Sequence, residues 1–470
     1  MDNLQNDFGM IGLGVMGRNL LLNVSDHGFK ASGLDKEEIA ISFLKKEAGD
    51  KNIFTTTSTI DFIKSLARPR VIMMLVPAGK PVDLVLEDLL PHLDKDDIVI
   101  DGGNSYFSDT ERRTVAMKER GIHFMGVGVS GGEQGARLGP SMMPGGDPEA
   151  YQVVKPIFES IAAKVNGEAC VTYLGPGGAG HYVKMIHNGI EYGLMQLISE
   201  VYDLMKSVVK LSNEEIQEVF ENWNKGKLRS FLIEITANIF LQPDDRKPGL
   251  LVDFILDKAR QKGTGKWTSQ LALDLQVPLP VIDMAVTMRD LSVYKDERIQ
   301  ASKVLSGPLF FFDQGEEDFL IKLEETLYFA VLITYAQGMA LLHKASLEFN
   351  YNYKLKDIAK IWRGGCIIRA SMLEELHQAY LKNPELSNLL LDKTFSIELS
   401  LRNEAAREVV KTAISSGIPA GGLMAALTYY DAFRSSRLPM NLIQAQRDYF
   451  GAHTYERVDE KGFFHTHWAY

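Results

Sequence analysis

The stretch that decides the fold is Phe8-Gly-Met-Ile-Gly12-Leu-Gly14-Val-Met-Gly17, where a short apolar run meets three glycines in a G-x-G-x-x-G pattern. An amphipathic segment follows, so the pattern predicts a strand, a tight turn and a helix. Such glycines let the backbone approach a pyrophosphate that sits on the helix N-terminus. They would also suit a turn that serves only the packing of helix on sheet. An acidic residue about 20 positions further on, Asp35, favours the dinucleotide site.

Asp35 and its neighbour Lys36 give opposite indications about the dinucleotide. Asp35 lies where the second strand is expected to end, and a carboxylate there can accept both ribose hydroxyls and repel a 2′-phosphate. Lys36 can attract that phosphate, or it can belong to a solvated turn. The two residues by themselves leave both NAD and NADP open.

The remaining sequence indicates how the chain is divided. Short apolar runs alternate with amphipathic segments over residues 1–130, a rhythm that predicts βαβ units and a mainly parallel sheet. After the glycine-rich break at 175–180 the pattern becomes helical. We therefore predict an α/β Rossmann-type N-terminal domain at 1–178, a large all-α domain at 179–436 and a C-terminal tail at 437–470.

The composition limits the classes of protein and partner. A chain of 470 residues is longer than one hydrophobic core usually organises, so two or three packed units are expected. A net charge of −10 argues against a nucleic-acid partner. Two cysteines without a metal-ligand spacing predict no disulfide framework, no metal and a reducing cytoplasm. The polar, acidic N-terminus does not resemble a signal peptide. The most apolar stretch, 326–342, contains polar residues and is barely of membrane length, so we expect a buried helix and no membrane.

Two glycine-containing segments predict ligand contacts in the first domain. Asp101-Gly-Gly-Asn104-Ser follows a buried strand, and ligands of open α/β sheets lie at such carboxyl ends, although a turn alone would explain the glycines. The segment 126–146, which contains Ser130-Gly-Gly132, has so many glycines that we expect a poor fold element and a good backbone cradle for polar groups. Flexibility alone is the alternative.

The pattern that indicates the chemistry is His181-Tyr-Val-Lys184-Met-Ile-His187-Asn188-Gly-Ile-Glu191-Tyr192, at the start of the second domain. On a helix, positions 184, 187, 188 and 191 share one face, while apolar residues occupy another. A solvated surface would also carry a polar stripe. Lysine and glutamate that bracket His and Asn beside a cofactor domain favour a proton-transfer site. Burial would lower the lysine pKa to make a base and raise the glutamate pKa to make an acid.

Basic residues also gather locally in this acidic chain. Gln261-Lys262-Gly-Thr264-Gly-Lys-Trp combines two lysines with a hydroxyl and a flexible backbone, which suits a phosphate, although such loops are commonly only solvated. Arg289 can bind an anion or pair with its neighbour Asp290. The chain can therefore hold an anionic substrate despite its overall charge.

The tail from about residue 437 is rich in arginine, histidine and aromatic residues. So many aromatic side chains predict a segment that lies on another protein surface rather than in water. That surface belongs either to the same subunit or to a neighbouring one, and composition favours neither.

Together these motifs resemble the 6-phosphogluconate dehydrogenase family, the decarboxylating enzymes of the pentose phosphate pathway. The likeness runs nearly end to end, through GLGVMGRNL, DGGNS, GVGVSGGEQGARLGPSMMPGG, HYVKMIHNGIEYG, QKGTGKW, IWRGGCIIR and QRDYFGAHTYER. The resemblance implies oxidative decarboxylation of 6-phosphogluconate to ribulose 5-phosphate and CO₂ with reduction of NADP. It also implies a cytoplasmic homodimer with shared active sites and no catalytic metal.

The resemblance further implies roles for individual residues. Lys184 is expected to be the general base and Glu191 the general acid. The implied substrate-binding residues are Asn104, Ser130, Gly131, Gly132, His187, Asn188, Tyr192, Lys262, Thr264 and Arg289, joined by Arg447 and His453 from the neighbouring subunit's tail. The expected cofactor contacts are Gly12, Leu13, Gly14, Val15, Met16, Gly17, Asp35, Lys36, Val76 and Asn104.

The chain departs from the usual family pattern in the cofactor region. Most members carry Asn-Arg-Thr where this chain has Asp35-Lys36-Glu37, and a lysine commonly follows the strand valine where this chain has Pro77 after Val76. Both changes remove expected partners of a 2′-phosphate. The family favours NADP, while these residues keep NAD use open.

Two other functions fit part of the sequence. A dehydrogenase of the 3-hydroxyisobutyrate type shares the N-terminal pattern and a lysine base, but it needs neither the long second helical half nor a phosphate site. A non-catalytic dinucleotide-sensing protein would keep the glycines without the Lys184 and Glu191 pair.

Overall fold

The N-terminal half is built on a seven-stranded sheet. The computed structural model describes residues 5–261 and 263–468. Its strands are β1 (Phe8–Ile11), β2 (Ala31–Leu34), β3 (Ile53–Thr56), β4 (Val71–Met74), β5 (Ile98–Asp101), β6 (His123–Ser130) and β7 (Ser141–Gly146), followed by a small hairpin of β8 (Lys164–Val165) and β9 (Glu168–Ala169). The order across the sheet is β3-β2-β1-β4-β5-β6-β7. β1 to β6 pair in parallel, and β7 returns antiparallel to β6.

Helices cover both faces of this sheet. They are α1 (Val15–Asp26), α2 (Glu38–Ala48), α3 (Thr59–Lys64), α4 (Lys80–Leu89), α5 (Phe107–Lys118), α6 (Gly132–Leu138) and α7 (Pro148–Ile161), with a 3-10 turn at Leu90–His92. Alternate residues of β4 enter two separate cores: Met73 packs with the α1 and α7 side, and Ile72 with the α3 and α4 side. Strands buried on both faces explain why these runs are continuously apolar.

The second half is helical. Its helices are α8 (Ala179–Asp203), α9 (Asn213–Trp223), α10 (Phe231–Ile239), α11 (Thr264–Asp274), α12 (Pro280–Val293), α13 (Lys295–Val304), α14 (Glu316–Glu348), α15 (Leu355–Trp362), α16 (Met372–Lys382), α17 (Lys393–Ser416), α18 (Gly421–Phe433) and α19 (Met440–Gly451). A π-helical turn, Leu204–Val209, follows α8, and 3-10 turns lie at Leu251–Phe254 and Leu389–Leu391. α9 starts with a capping box between Ser212 and Glu215. The predicted fold class is confirmed.

The apolar stretch at 326–342 lies within α14. By length and composition α14 is the one helix, among the described residues, that could cross a membrane. However, 83% of its most apolar window is buried inside the protein. It packs against α8 and α17, so α14 is a core helix of the second half.

Glycines on β6 and β7 let α8 lie directly on the sheet. A Cβ at Gly128 would lie 2.3 Å from the Lys184 Cβ, and a Cβ at Gly145 would lie 2.3 Å from the Gly180 nitrogen. The expectation that segment 126–146 would be a poor fold element is therefore wrong, because most of it forms β6, α6 and β7. These glycines are needed for close packing of strand on helix, which brings Lys184 to the carboxyl end of the sheet.

Candidate active site

The polar stripe of α8 is buried between the two halves of the molecule. Lys184 is 6% exposed, His187 is fully buried and Asn188 is 8% exposed. Glu191, one turn further along, is the more accessible member, with 21% of its side chain exposed. The helical face predicted from the sequence is thus an internal surface rather than a solvated one.

Burial shifts the pKa values of this stripe in opposite directions. It lowers the pKa of Lys184, although the electrostatic interactions with the Glu191 carboxyl group and the Cys366 thiol act against the shift. It raises the pKa of Glu191, against the positive charges of Lys184 and Arg289. Both directions are those expected from the sequence. These directions favour an unprotonated amine on Lys184 and a protonated carboxyl group on Glu191.

His187 is held by hydrogen bonds on both ring nitrogens. Its Nδ1 lies 3.1 Å from the Asn188 Oδ1, which accepts, so Nδ1 carries the proton. Its Nε2 lies 3.1 Å from Ser130 Oγ and accepts a hydrogen bond from that hydroxyl group. Burial and the charge of Lys184 lower the pKa of His187 well below its usual value. The ring is neutral, and it ties α8 to the end of β6.

The sequence did not assign roles to two residues that hold this arrangement. The Trp362 ring packs edge-on against His187, with 5.8 Å between ring centroids. The Ile367 N–H points at Ser130 Oγ from 3.4 Å. Both residues belong to the motif IWRGGCIIR at 361–369. The presence of this motif in the family resemblance was the signal that could have identified them.

The glycines after β6 shape the turn beside Ser130. Gly131 has a φ of 127°, and a Cβ there would lie 2.7 Å from the Gly365 carbonyl oxygen. Gly132 has a φ of 63° with open space where its Cβ would be. The turn therefore requires glycine at both positions and leaves the backbone of Gly132 accessible.

Asn104 lies in the turn that follows β5 and is exposed. The buried Asp101 carboxylate shapes this turn by accepting the Gly103 N–H at 3.0 Å and the Ser105 hydroxyl at 2.6 Å. Arg113 is fully buried behind it, with its NH1 3.6 Å from Asp101. This support was not predicted from the sequence.

A second group of predicted residues lies next to Glu191. The guanidinium carbon of Arg289 is 3.5 Å from the centre of the Tyr192 ring. Thr264 is the first residue of α11, and a Cβ at Gly265 would meet the Tyr192 ring at 2.3 Å. The N-terminus of α11 is thus packed against Tyr192, where its free N–H groups favour an anion. Lys262 lies outside the described residues.

The predicted cofactor residues meet at a cavity of about 560 Å³ beside the N-terminus of α1. Predicted residues in its wall are Gly12, Gly14, Asp35, Lys36 and Val76. The other predicted contacts differ in position: Leu13 is buried in the core, Val15 is exposed, Met16 packs against the sheet core and Gly17 is buried in α1.

The turn before α1 fits a dinucleotide pyrophosphate. A Cβ at Gly14 would meet nothing within 4 Å, so the space in front of the helix N-terminus is open. A Cβ at Gly17 would lie 1.9 Å from the Gly12 carbonyl oxygen, and Gly12 itself has a φ of 87°. Gly12 therefore provides the tight turn, Gly14 the open approach for a ligand and Gly17 the close packing of helix on strand, which are the three roles of glycine in the G-x-G-x-x-G pattern.

Asp35 and Lys36 differ in how they face this cavity. Asp35 Oδ2 accepts the Leu13 N–H at 2.6 Å, and Oδ1 accepts the Glu37 N–H at 2.9 Å. Lys36 is exposed and brings a positive charge to the wall. The carboxylate is thus held by the backbone around the turn, and the ammonium group is free to meet a ligand.

Within the single chain, the described contacts of the two predicted tail residues do not reach the groups around Lys184 and Tyr192. Arg447 and His453 are both exposed. Arg447 NH1 donates to Gln444 Oε1 at 3.1 Å, and the His453 ring contacts Phe450 with 5.8 Å between centroids. These described contacts are made inside the tail.

The two regions complement one another chemically. A turn that fits a dinucleotide lies on the N-terminal half, and a lysine and a glutamate with opposite pKa shifts lie on α8, which packs on β6 and β7 of the same sheet. In the described residues no group of three His, Cys, Asp or Glu side chains is arranged to hold a metal ion. The molecule is accordingly a nicotinamide-dinucleotide-dependent dehydrogenase.

Comparison with known proteins defines the family. Residues 7–175 match the model of the NAD binding domain of 6-phosphogluconate dehydrogenase, and residues 180–468 match that of its C-terminal domain. The chain is 52% identical over 465 residues to the NADP(+)-dependent, decarboxylating 6-phosphogluconate dehydrogenase of Bacillus subtilis, with 99% of each chain covered. It is 54% identical over 467 residues to the decarboxylating enzyme of Lactococcus lactis, again with 99% of each covered. The chain belongs to the 6-phosphogluconate dehydrogenase family, as its motifs predicted.

A solved structure agrees with this assignment. The 6-phosphogluconate dehydrogenase of Plasmodium falciparum, studied with its cofactor NADP+ and with its substrate 6-phosphogluconate, matches with a TM-score of 0.95 at 44% identity. The match covers 98% of this chain and 100% of that one.

Proposed function

We propose that the chain oxidises and decarboxylates 6-phosphogluconate to ribulose 5-phosphate and CO₂ with reduction of NADP. The observation that carries the proposal is the buried pair of Lys184 and Glu191 on one face of α8, with pKa values shifted in opposite directions. NADP, when bound at the glycine turn, supplies the hydride acceptor. A non-catalytic dinucleotide sensor would have no need of this pair.

Lys184 acts in the first step. Its unprotonated amine takes the proton of the C3 hydroxyl while hydride leaves C3, which produces a 3-keto acid. The new carbonyl lies β to the C1 carboxylate, so the C1–C2 bond can break with release of CO₂. The electron pair of the broken C1–C2 bond forms the double bond of an enediolate. The protonated Lys184 stabilises the developing negative charge on the C3 oxygen.

Glu191 acts in the last step. Its protonated carboxyl group donates a proton to C1 of the enediolate, the former C2 of the sugar acid, while the adjacent C–O⁻ becomes the C2 carbonyl, and ribulose 5-phosphate results. Neutral His187, Asn188, Asn104 and the Ser130-Gly-Gly132 turn are proposed to hold the sugar acid. Tyr192, Thr264, Arg289 and Lys262 are proposed to bind its phosphate at the N-terminus of α11.

We also propose a cytoplasmic homodimer in which each tail completes the other subunit's site through Arg447 and His453. Large apolar side chains remain exposed on the single chain, among them Leu309, Phe311 at 86% and Phe450 at 72%. Such exposure favours a covering subunit. Both cysteines are free and buried, which suits a reducing compartment.

The function can be tested with purified protein. Formation of NADPH should depend on 6-phosphogluconate, and CO₂ should be released from C1 in equal amount. Gluconate, which lacks the phosphate, should react poorly. NADPH formation without CO₂, or turnover of 3-hydroxyisobutyrate in place of 6-phosphogluconate, would contradict the proposal.

Glu191→Gln should slow turnover because the amide cannot donate the final proton. We expect kcat to fall by about 100-fold or more, with little change in the KM for NADP. Incorporation of solvent deuterium at C1 of the product reports the protonation step directly. Glu214→Gln, on the exposed surface of α9, is the matched control. Normal turnover with normal deuterium incorporation in Glu191→Gln would count against the assignment.

Lys36→Ala should weaken the binding of NADP but not that of NAD, since Lys36 brings a positive charge to the cavity wall. We expect the KM for NADP to rise about tenfold, which corresponds to a loss of about 1.4 kcal/mol of binding free energy, while the KM for NAD stays the same. Lys45→Ala, on the exposed face of α2, controls for the loss of a surface charge. An equal rise for both dinucleotides would show that Lys36 does not read the 2′-phosphate.

A further inference from the structure

The tail has an internal polar centre formed by one carboxylate. Asp448, on α19, is fully buried although it lies in the most exposed segment of the chain. Its Oδ1 accepts the Thr454 N–H at 3.0 Å and the His465 Nδ1–H at 2.9 Å. Its Oδ2 accepts the Thr466 N–H and the Trp468 Nε1–H, both at 3.0 Å. One side chain thus joins the helix, the loop after it and the C-terminal segment at 465–468.

These donors keep the carboxylate ionised. Burial of Asp448 raises its pKa, but hydrogen bonds from the Thr466 N–H, His465 and Trp468 outweigh this and bring it to about 2. An ionised, fully paired group explains how a charge can be buried in so small a segment. The pairing is also demanding, because every one of the four donors needs an acceptor in the same place.

The loop that Asp448 holds is conformationally strained. Ala452 and Thr454 have φ values of 50° and 59°, in the left-handed region that residues other than glycine rarely adopt. The Thr454 N–H bond to Asp448 stabilises this conformation, and the Gln444 side chain adds a bond to the Thr454 carbonyl at 2.5 Å. Without the carboxylate, the loop would relax toward ordinary conformations.

The strained loop and the helix together carry the two proposed phosphate ligands. His453 lies between Ala452 and Thr454, and its ring rests against Gly451, where a Cβ would lie 2.6 Å from Nε2. Arg447 directly precedes Asp448 on α19. Both side chains therefore take their direction from backbone that Asp448 fixes, while the carboxylate itself is fully buried.

We propose that Asp448 is a positioning residue, which fixes Arg447 and His453 relative to one another so that both can bind the substrate phosphate. This inference rests on the proposed function, in which these two residues contact that phosphate. Asp448 itself touches neither substrate nor cofactor. Its effect is expected on substrate binding rather than on the chemical step.

The test is a comparison of Asp448→Asn with variants of the ligands themselves. The amide presents an N–H₂ group to donors that need an acceptor, so the loop should lose its fixed geometry. We expect the KM for 6-phosphogluconate to rise about tenfold or more, since small misplacements at a site cost up to about 100-fold. The KM for NADP should stay near that of the wild type. Asp459→Asn, which removes an exposed ion pair with Arg457 in the same tail, is the matched control.

Non-additivity separates positioning from general stabilisation. In the Arg447→Ala/His453→Ala background, Asp448→Asn should cause no further loss of kcat/KM, because there are no ligands left to position. Trp468→Phe, which removes one donor and keeps a ring, should raise the substrate KM in the same direction by less. An equal loss in both backgrounds, a parallel rise for NADP, or an unchanged substrate KM in Asp448→Asn would overturn the inference. If Arg447→Ala/His453→Ala itself leaves the substrate KM unchanged, the proposed tail contact fails, and this positioning role fails with it.

Discussion

Lys184→Ala is expected to lower kcat for 6-phosphogluconate by about 1,000-fold or more, since one group serves as base in oxidation and as charge stabiliser in decarboxylation. NADPH formation and CO₂ release should be lost together. Binding of NADP, followed by fluorescence titration, should remain near normal because Lys184 lies on α8 and not at the glycine turn. A variant that retained near-normal turnover would rule out the assignment.

Two further variants sharpen this result. Lys184→Arg keeps a positive charge but cannot act as a base at neutral pH, so it should be as inactive as the alanine variant. Lys155→Ala removes a partly exposed lysine from α7 and should leave kcat unchanged. If Lys184→Arg were active, the role of Lys184 would be electrostatic, and the base would have to be sought elsewhere on the stripe.

The parts of the site that could be predicted are those set by local geometry. The glycine turn and the stripe of Lys184, His187 and Glu191 each lie within about a dozen consecutive residues, so strand and helix periodicity place them without knowledge of the fold. The directions of the pKa shifts of Lys184 and Glu191 were predicted on the assumption that the stripe is buried. The burial itself comes from the packing of α8 on the sheet, which local sequence does not reveal.

The parts that could not be predicted depend on contacts between distant segments. The glycines of 126–146 suggested a ligand cradle, yet Gly128 and Gly145 serve mainly to admit α8. Nothing in their own neighbourhood identifies the helix that crosses them. The same holds for Trp362, which reaches His187 from another helix, and for Asp101, whose carboxylate shapes the turn that carries Asn104.

The tail was predicted only in part. Its aromatic content indicated a segment that lies on another surface, which stays a prediction; Phe450 and Leu442 are exposed on the single chain. The sequence did not reveal that the tail also holds itself together around Asp448, since an Arg-Asp pair on a helix is commonly a surface feature. A self-ordered tail can carry Arg447 and His453 to a second subunit with less loss of conformational entropy than a disordered one.

Deleting residues from 440 onward is expected to lower kcat/KM for 6-phosphogluconate by about 100-fold or more, because the two proposed phosphate ligands, Arg447 and His453, would be lost. The KM for NADP should change little, and the mass of the truncated chain in solution will show whether it still associates. A truncated chain with normal kcat/KM would exclude any part for the tail in the site.

Mixing two chains that are each impaired at low substrate concentration decides which subunit each tail serves. Lys184→Ala and Arg447→Ala chains, unfolded and refolded together, should form heterodimers in which one site carries both lesions and the other carries neither. Random pairing in a two-fold symmetric dimer then restores about a quarter of wild-type activity. If each tail instead served its own subunit, every site in the heterodimer would carry one lesion and no activity would return. Heterodimers verified by distinct affinity tags but without activity would therefore place Arg447 in the site of its own chain.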